Sequence, residues 1–412
     1  MSDASAKRTA GGAADHARRR FLWHGLLGGG MLAAGSLGGW HRLAHGAPLA
    51  TARPAGPYGP LQEPDANGIR LPTGFTSRIV ARAGERPVPG QRYDWHVFPD
   101  GGATFGLEDG GWIYVSNSEF PGAGGVGALR FAADGTIVDG YPILRGTTLN
   151  CAGGPTPWGT WLSCEEWDLG RVWECDPQGR ERARVLPALG TFSHEAVAVD
   201  PDRGQLYLTE DVGDGRLYRF TPSAYPSLDA GVLEVAVGRR LIGNWWRLTW
   251  APLKEPNPRL GGLGREDPTR YQIPQSMPFD GGEGIWYRAG KIYFTTKGDD
   301  RVWVYDTRLQ LLHILYDGLR RTDPVLTGPD NLVVNEHAEV FVAEDGGDMQ
   351  LVLITPRGQV QPFLQVVGQD ESEITGPAFS PDGTRLYFSS QRGPAPRLPL
   401  GVTYEIQGPF NG

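Results

Sequence analysis

The chain has 412 residues and a formal charge of −8, with 60 Gly, 34 Pro and 13 Trp against 21% charged residues. That composition describes many short strands joined by tight turns rather than long amphipathic helices. No Lys/Arg cluster lies beyond the N-terminus, which excludes a nucleic-acid footprint, since phosphate neutralisation needs a basic face; acidic excess suits cation binding instead.

Residues 1–46 read as a targeting segment: a basic start, then an apolar stretch from Phe21 to about Trp40. Arg18-Arg19-Arg20-Phe21-Leu22 fits the twin-arginine pattern, so the expected partner is the twin-arginine export machinery, and the expected destination is the periplasm or the exterior. Cleavage is placed near Ala44-His45-Gly46, and the glycines at 28–30 weaken any spanning helix. No stable membrane span is expected after processing. Twin-arginine export carries proteins already folded, commonly around a cofactor, which favours a metalloprotein.

From there a repeat runs through the chain. Six strand-like segments carry an aromatic residue at Tyr114, Trp161, Tyr207, Tyr293, Phe341 and Tyr387, at intervals of 47, 46, 86, 48 and 46 residues. A period near 46 is the size of a propeller blade. The expectation is an all-β, six-bladed β-propeller over residues 47–412, monomeric, with an irregular insertion at about 224–279 inside the long interval. Pro99-Asp-Gly-Gly, Ala133-Asp-Gly, Asp200-Pro-Asp-Arg-Gly and Pro381-Asp-Gly read as turns between strands. The repeated aromatics are expected to pack between blades.

The innermost strand of a blade begins at the central channel, so one position per repeat should face the axis. Upstream of the aromatics lie Asn150 with Cys151, His194 with Glu195, Glu283, Asp330 with Asn331, and Glu373 to Thr375. A second set follows the aromatics: Glu119, Glu165 with Glu166, Glu210 with Asp211, Lys297, Glu344 with Asp345, and Gln391. Acids converging on one small volume repel unless cations neutralise them or their pKa values rise. Bound metal is the simpler outcome. The expected ligands are Cys151, Glu119, Glu165, Glu166, Glu195, Glu210, Asp211, Glu283, Asp330, Asn331, Glu344 and Glu373.

A thiolate among carboxylates suits a transition metal, iron above all, whereas an all-oxygen set suits calcium. Cys164 and Cys175 read as structural, and the three cysteines form no C-x-x-C motif. His194 is open between metal ligand, general base and structural group. No G-x-S-x-G elbow, H-E-x-x-H helix or P-loop occurs.

The segment Asn150-Cys-Ala-Gly-Gly-Pro-Thr-Pro-Trp-Gly-Thr-Trp-Leu-Ser-Cys-Glu-Glu166 resembles the signature of the PhoX-type alkaline phosphatases, as do Ser193-His-Glu-Ala196, Glu283-Gly-Ile-Trp-Tyr287 and Gly328-Pro-Asp-Asn331. The likeness runs from Trp95 to Phe410, in a chain shorter than the full-length enzymes. It implies a cluster of ferric iron and calcium in the channel and hydrolysis of small-molecule phosphomonoesters outside the cytoplasm. Carried over by motif, Cys151 and Glu283 would bind iron, and the other ring acids would divide between iron and calcium. The family's phosphate-holding arginine, two positions before Glu283, is here Gly281. Lys297, Arg301, Arg92 and Arg392 are the cations that could compensate, and Lys297 and His194 are the catalytic candidates. The other readings are a calcium-dependent propeller lactonase or esterase and a non-catalytic metal-binding propeller.

Overall fold

The computed structural model describes residues 56–261, 265–395 and 400–410; the targeting segment read at 1–46 lies outside them. All elements below belong to the unit Tyr58–Gly412. Two opening strands are β1 (Ile69–Arg70) and β2 (Thr76–Arg82). One sheet follows from β3 (Pro99–Gly106), β4 (Trp112–Ser118), β5 (Gly124–Phe131) and β6 (Ile137–Thr147). Another comprises β7 (Asn150–Pro155), β8 (Trp161–Glu165), β9 (Val172–Cys175) and β10 (Arg184–Val185).

The next nine strands form one continuous sheet. They are β11 (His194–Asp200), β12 (Gln205–Glu210), β13 (Leu217–Ala224), β14 (Ser227–Arg240), β15 (Trp245–Pro252), β16 (Gly282–Arg288), β17 (Lys291–Thr296), β18 (Arg301–Asp306) and β19 (Leu311–Asp317). Then β20 (Pro329–Val334), β21 (Val340–Glu344), β22 (Gln350–Ile354) and β23 (Val360–Val366) form a sheet that β1 extends. Finally β24 (Ile374–Phe379), β25 (Arg385–Ser390) and β26 (Val402–Gln407) form a sheet completed by β2. Apart from three single 3-10 turns, the described residues hold no helix, and none is long and apolar enough to cross a membrane.

The result is an all-β, propeller-like fold. The inner strands β3, β7, β11, β16, β20 and β24 each pack against the next, and β24 returns to β3. Pairing the N-terminal β2 with the C-terminal β26 fastens the two chain ends together, protecting edges that would otherwise stay unpaired.

The repeat predicts six separate sheets; the described residues form five. The difference lies in β15, which pairs along its length with β14 and through Trp245–Arg247 with Leu311–His313 of β19. That strand joins two outer edges into the nine-stranded sheet, whose terminal strands β11 and β16 meet at the inner ring. Residues 224–279, expected to be irregular, therefore contain two long strands, and the Pro-rich part is confined to residues after Trp250. Pro99-Asp-Gly-Gly is also no turn, because it opens β3.

The repeated aromatics pack between neighbouring sheets. Tyr114 and Tyr387 stack at 4.9 Å between centroids, and the Trp112 indole N–H donates to the Tyr387 hydroxyl at 3.0 Å. Close to the axis, side chains give way to backbone contact. A Cβ placed on Gly101 would sit 2.4 Å from the Ala152 Cα, and one on Gly284 2.6 Å from the Asn331 Cα. Gly101→Val is therefore expected to push β3 from β7, costing about 1–3 kcal/mol of stability. Thermal unfolding checks this, and an unchanged midpoint would show that the strands need not approach so closely.

Candidate metal centre

Each inner strand pairs with the next strand through a β-bulge in which two residues oppose one. The first of the two is Asp100 in β3, Cys151 in β7, Glu195 in β11, Glu283 in β16, Asp330 in β20 and Gly376 in β24. A bulge bends the strand and re-aims its side chain. Here it gathers the donors of five strands into one region.

A second position repeats as regularly. The residue just after each partner strand is Glu119, Glu166, Asp211, Lys297, Asp345 or Gln391. Its backbone N–H donates to the carbonyl just ahead of the inner strand, respectively Phe98, Leu149, Ser193, Gly281, Gly328 and Glu373. Six equivalent hydrogen bonds thus hold six side chains at the same end of the ring.

Together the two positions form four overlapping donor groups: Asp100/Glu119/Cys151, Cys151/Glu166/Glu195, Glu195/Glu283/Asp330 and Asp330/Asp345/Glu373, with ligand atoms within 4.8 Å of one another in each. Polar neighbours knit them. The Cys151 thiol lies 3.3 Å from Glu195 Oε1. Asn331 Nδ2 donates to Asp330 Oδ1 at 2.8 Å and reaches Glu195 Oε1 at 3.4 Å, while its Oδ1 accepts from Gly376 N. Gln391 Nε2 donates to both Asp100 Oδ2 and Glu119 Oε2 at 2.7 Å.

Among the described residues, two cations enter the cluster. Lys297 Nζ lies 2.6 Å from Glu283, 3.2 Å from Asp345 and 3.4 Å from Asp330. Arg392 Nη2 lies 2.7 Å from Glu373. These are too few for the acids present. Burial first, then neighbouring carboxylates, push Asp100, Glu166, Glu195 and Glu283 well above the ordinary carboxylate range, and burial raises Glu119 to about 7. Glu195 Oε2 and Asp211 Oδ1 are buried without a hydrogen-bond partner. Orphaned buried acceptors beside a converging set of oxygens and one sulfur fit the binding of cations.

Most expected ligands are brought together: Cys151, Glu119, Glu166, Glu195, Glu283, Asp330 and Glu373, with Asn331 bridging, Lys297 between three acids and Asp211 beside Glu166 and Glu283. Three are not. Strand alternation turns the first acid of each pair away from the axis. Glu165 accepts from the Thr148 and Arg171 backbones. Glu210 meets Arg270, Tyr218 and the Arg216 backbone, and Glu344 meets the Thr327 and Gln350 backbones. These acids fasten loops, whereas Glu166, Asp211 and Asp345 face the cluster side.

His194 is also turned outward. Its Nε2 lies 3.1 Å from the Gly190 carbonyl, its ring packs 3.6 Å from the centre of Phe192, and burial lowers its pKa to about 3. That environment fits neither a ligand of this cluster nor a base. Glu165→Gln should accordingly weaken the fold while leaving metal content intact, and Glu166→Gln should do the reverse. Metal analysis beside thermal unfolding checks the pair; equal metal loss in both variants would contradict the assignment.

Asp100 is hidden in the sequence because Pro99-Asp-Gly-Gly has the composition of a tight turn, although it opens β3. Its one signal is that it precedes Tyr114 by as many residues as Glu373 precedes Tyr387. Of the other cations, Arg92 is exposed and Arg301 pairs with Asp299 and Asp317. Cys151, Cys164 and Cys175 are all free and buried. Gly281 has φ +68°, so a side chain there would be strained. Beyond the donors, the ring closes to a cavity of about 30 Å³ against Gly101, Ala152, Ala196, Gly284 and Asn331. That is space for roughly one water; a larger cavity of about 320 Å³ adjoins it at Pro155 and Trp286, and the side chains of Lys297 and Arg392 are 18% and 20% exposed.

Among solved structures, similarity extends to a gluconolactonase from Xanthomonas campestris (14% identity, TM-score 0.50, 86% of this chain and 99% of that one). It extends also to a virginiamycin B lyase from Staphylococcus aureus (12% identity, TM-score 0.44, 81% and 99%). At 14% identity the likeness to the gluconolactonase shows the fold alone. No curated protein sequence matches the chain. The family described as alkaline phosphatase PhoX matches residues 115–171 and 167–310, a span that contains Cys151, Glu166, Glu195, Asp211, Glu283 and Lys297. That match over the segments that build the centre makes residues 115–310 of this chain similar to the PhoX-type alkaline phosphatase family.

Proposed function

We propose that this protein is an exported, metal-dependent phosphoesterase that hydrolyses small phosphomonoesters at a cluster of ferric iron and calcium, on a propeller whose nine-stranded sheet is two blades joined at their outer edges. The observation that carries the reading is the convergence of eight carboxylates and the Cys151 thiol, among which Glu195 Oε2 has no partner. The family match over residues 115–310 supports the phosphoester class. Export and a periplasmic or extracellular location rest on the twin-arginine pattern at Arg18-Arg19.

Cys151, Glu166, Glu195 and Glu283 would hold iron, and Asp100, Glu119, Asp330, Asp345 and Glu373 would serve iron or calcium. Bound there, the cations would supply Lewis acidity toward phosphoryl oxygens. The chain's own residues do the rest. Lys297 holds Glu283, Asp330 and Asp345 close together through three ion pairs, and Asn331 fixes Asp330 relative to Glu195. Gln391 holds Asp100 and Glu119 in one orientation.

A second reading, a calcium-dependent lactonase, is favoured by the Glu195/Glu283/Asp330 group, whose donors are all carboxylate oxygens. Assay of the metal-replete protein on p-nitrophenyl phosphate and on δ-gluconolactone separates the two. Hydrolysis of the phosphoester alone is expected; turnover of the lactone alone would replace the first reading with the second.

A further inference from the structure

The mouth of the centre is strongly acidic, so an anionic substrate approaching it needs a positive group that the acids do not already occupy. Lys297 does not qualify, because its compact ammonium lies within 3.4 Å of three carboxylates. Arg392 differs in geometry. Its guanidinium meets Glu373 through Nη2 at 2.7 Å, with the side chain 20% exposed. A guanidinium carries five N–H donors in a planar fork, so contact at one terminus leaves an edge able to take two oxygens of a second oxyanion.

The position is also built. The Arg392 backbone N–H donates to Ser372 Oγ at 3.0 Å, Ser372 Oγ bonds Ser390 Oγ at 2.8 Å, and the preceding Gln391 bridges Asp100 and Glu119. Glu373, Glu119, Asp100 and Asp330 all lie close enough to act on the guanidinium. Once cations take up those carboxylates, the field that holds Arg392 inward weakens.

We propose that Arg392 is the substrate-anion contact of this centre, gripping two non-bridging oxygens of a phosphomonoester and favouring its dianion over the singly charged diester. The inference rests on the phosphoesterase reading but is tested apart from it. Binding of inorganic phosphate to the metal-replete, full-length mature protein is measured by calorimetry, beside KM and kcat on p-nitrophenyl phosphate and bis(p-nitrophenyl) phosphate, for wild type, Arg392→Lys and Arg392→Gln.

Loss of a charge-assisted, two-point contact predicts phosphate binding and monoester KM weakened roughly 10- to 100-fold in Arg392→Gln, with partial recovery in Arg392→Lys. Diester KM should change less, and metal content should not change. If Arg392 merely positions Glu373, metal content falls and phosphate binding follows it, which overturns the proposal. Unchanged phosphate binding with full metal overturns it too. A wild type that binds phosphate through Arg392 yet hydrolyses nothing would sink the phosphoesterase reading and leave the anion contact standing.

Discussion

Stripped of metal by a chelator, the protein is expected to lose stability steadily as the pH rises from about 4 to about 8, and to regain it when metal is restored. The sign follows from burial. Without bound cations, Asp100, Glu119, Glu166, Glu195 and Glu283 all hold their protons to higher pH in the folded chain than in the unfolded one. The folded state then binds more protons, so its advantage is complete below the ordinary carboxylate pKa and vanishes as pH passes the folded value. For Glu119, raised from 4.5 to about 7, the difference is roughly 3 kcal/mol.

Several such groups act together, which makes this one of the largest effects foreseen. Metal reverses it by taking the place of the protons. Denaturant unfolding of chelated and reloaded protein at pH 5 and pH 8 measures the difference. Equal stability of the chelated protein at both values would mean that the acids are not mutually repelling in solution.

Cys151→Ser is expected to abolish whatever transition metal the centre binds and to lower phosphomonoester hydrolysis by more than roughly 100-fold, beyond the 10- to 100-fold that loss of an outer hydrogen-bond partner costs. Burial and the acids Asp100, Glu195 and Glu119 keep the Cys151 thiol protonated well above its ordinary range. A nearby cation is what would release that proton and make the sulfur a ligand. Serine matches the shape closely but offers no thiolate. Thermal unfolding of the chelated variant should therefore resemble wild type, while thiolate-to-metal absorption in the visible disappears on reloading. Retained absorption and unchanged metal content would remove Cys151 from the centre.

The repeat was legible because blade packing needs a large aromatic at one position in each unit, and Tyr114, Trp161 and Tyr387 meet that need in every local context. The inner donors stood out because close strand approach surrounds them with glycine and alanine, as Gly101 against Ala152 shows. Less could be read where the answer depends on which face of a strand a residue occupies. Glu344 and Asp345 are adjacent acids, and only the strand end at Glu344 decides that one braces Thr327 while the other meets Lys297. His194 beside Glu195 is the same ambiguity.

The nine-stranded sheet was hidden for a different reason. Joining β15 to β19 takes three residue pairs between segments more than sixty positions apart, and no local pattern in Trp245–Arg247 announces its partner. Asp100 was lost to turn chemistry, since Pro-Asp-Gly-Gly suits a tight turn and a glycine-rich bulge equally well.

Elemental analysis of the protein purified without chelators tests the central claim most directly. Several metal ions per chain, iron among them, with iron lost in Cys151→Ser and retained in Glu165→Gln, is the predicted result. A chain that holds no metal, or a single calcium indifferent to Cys151, would contradict it.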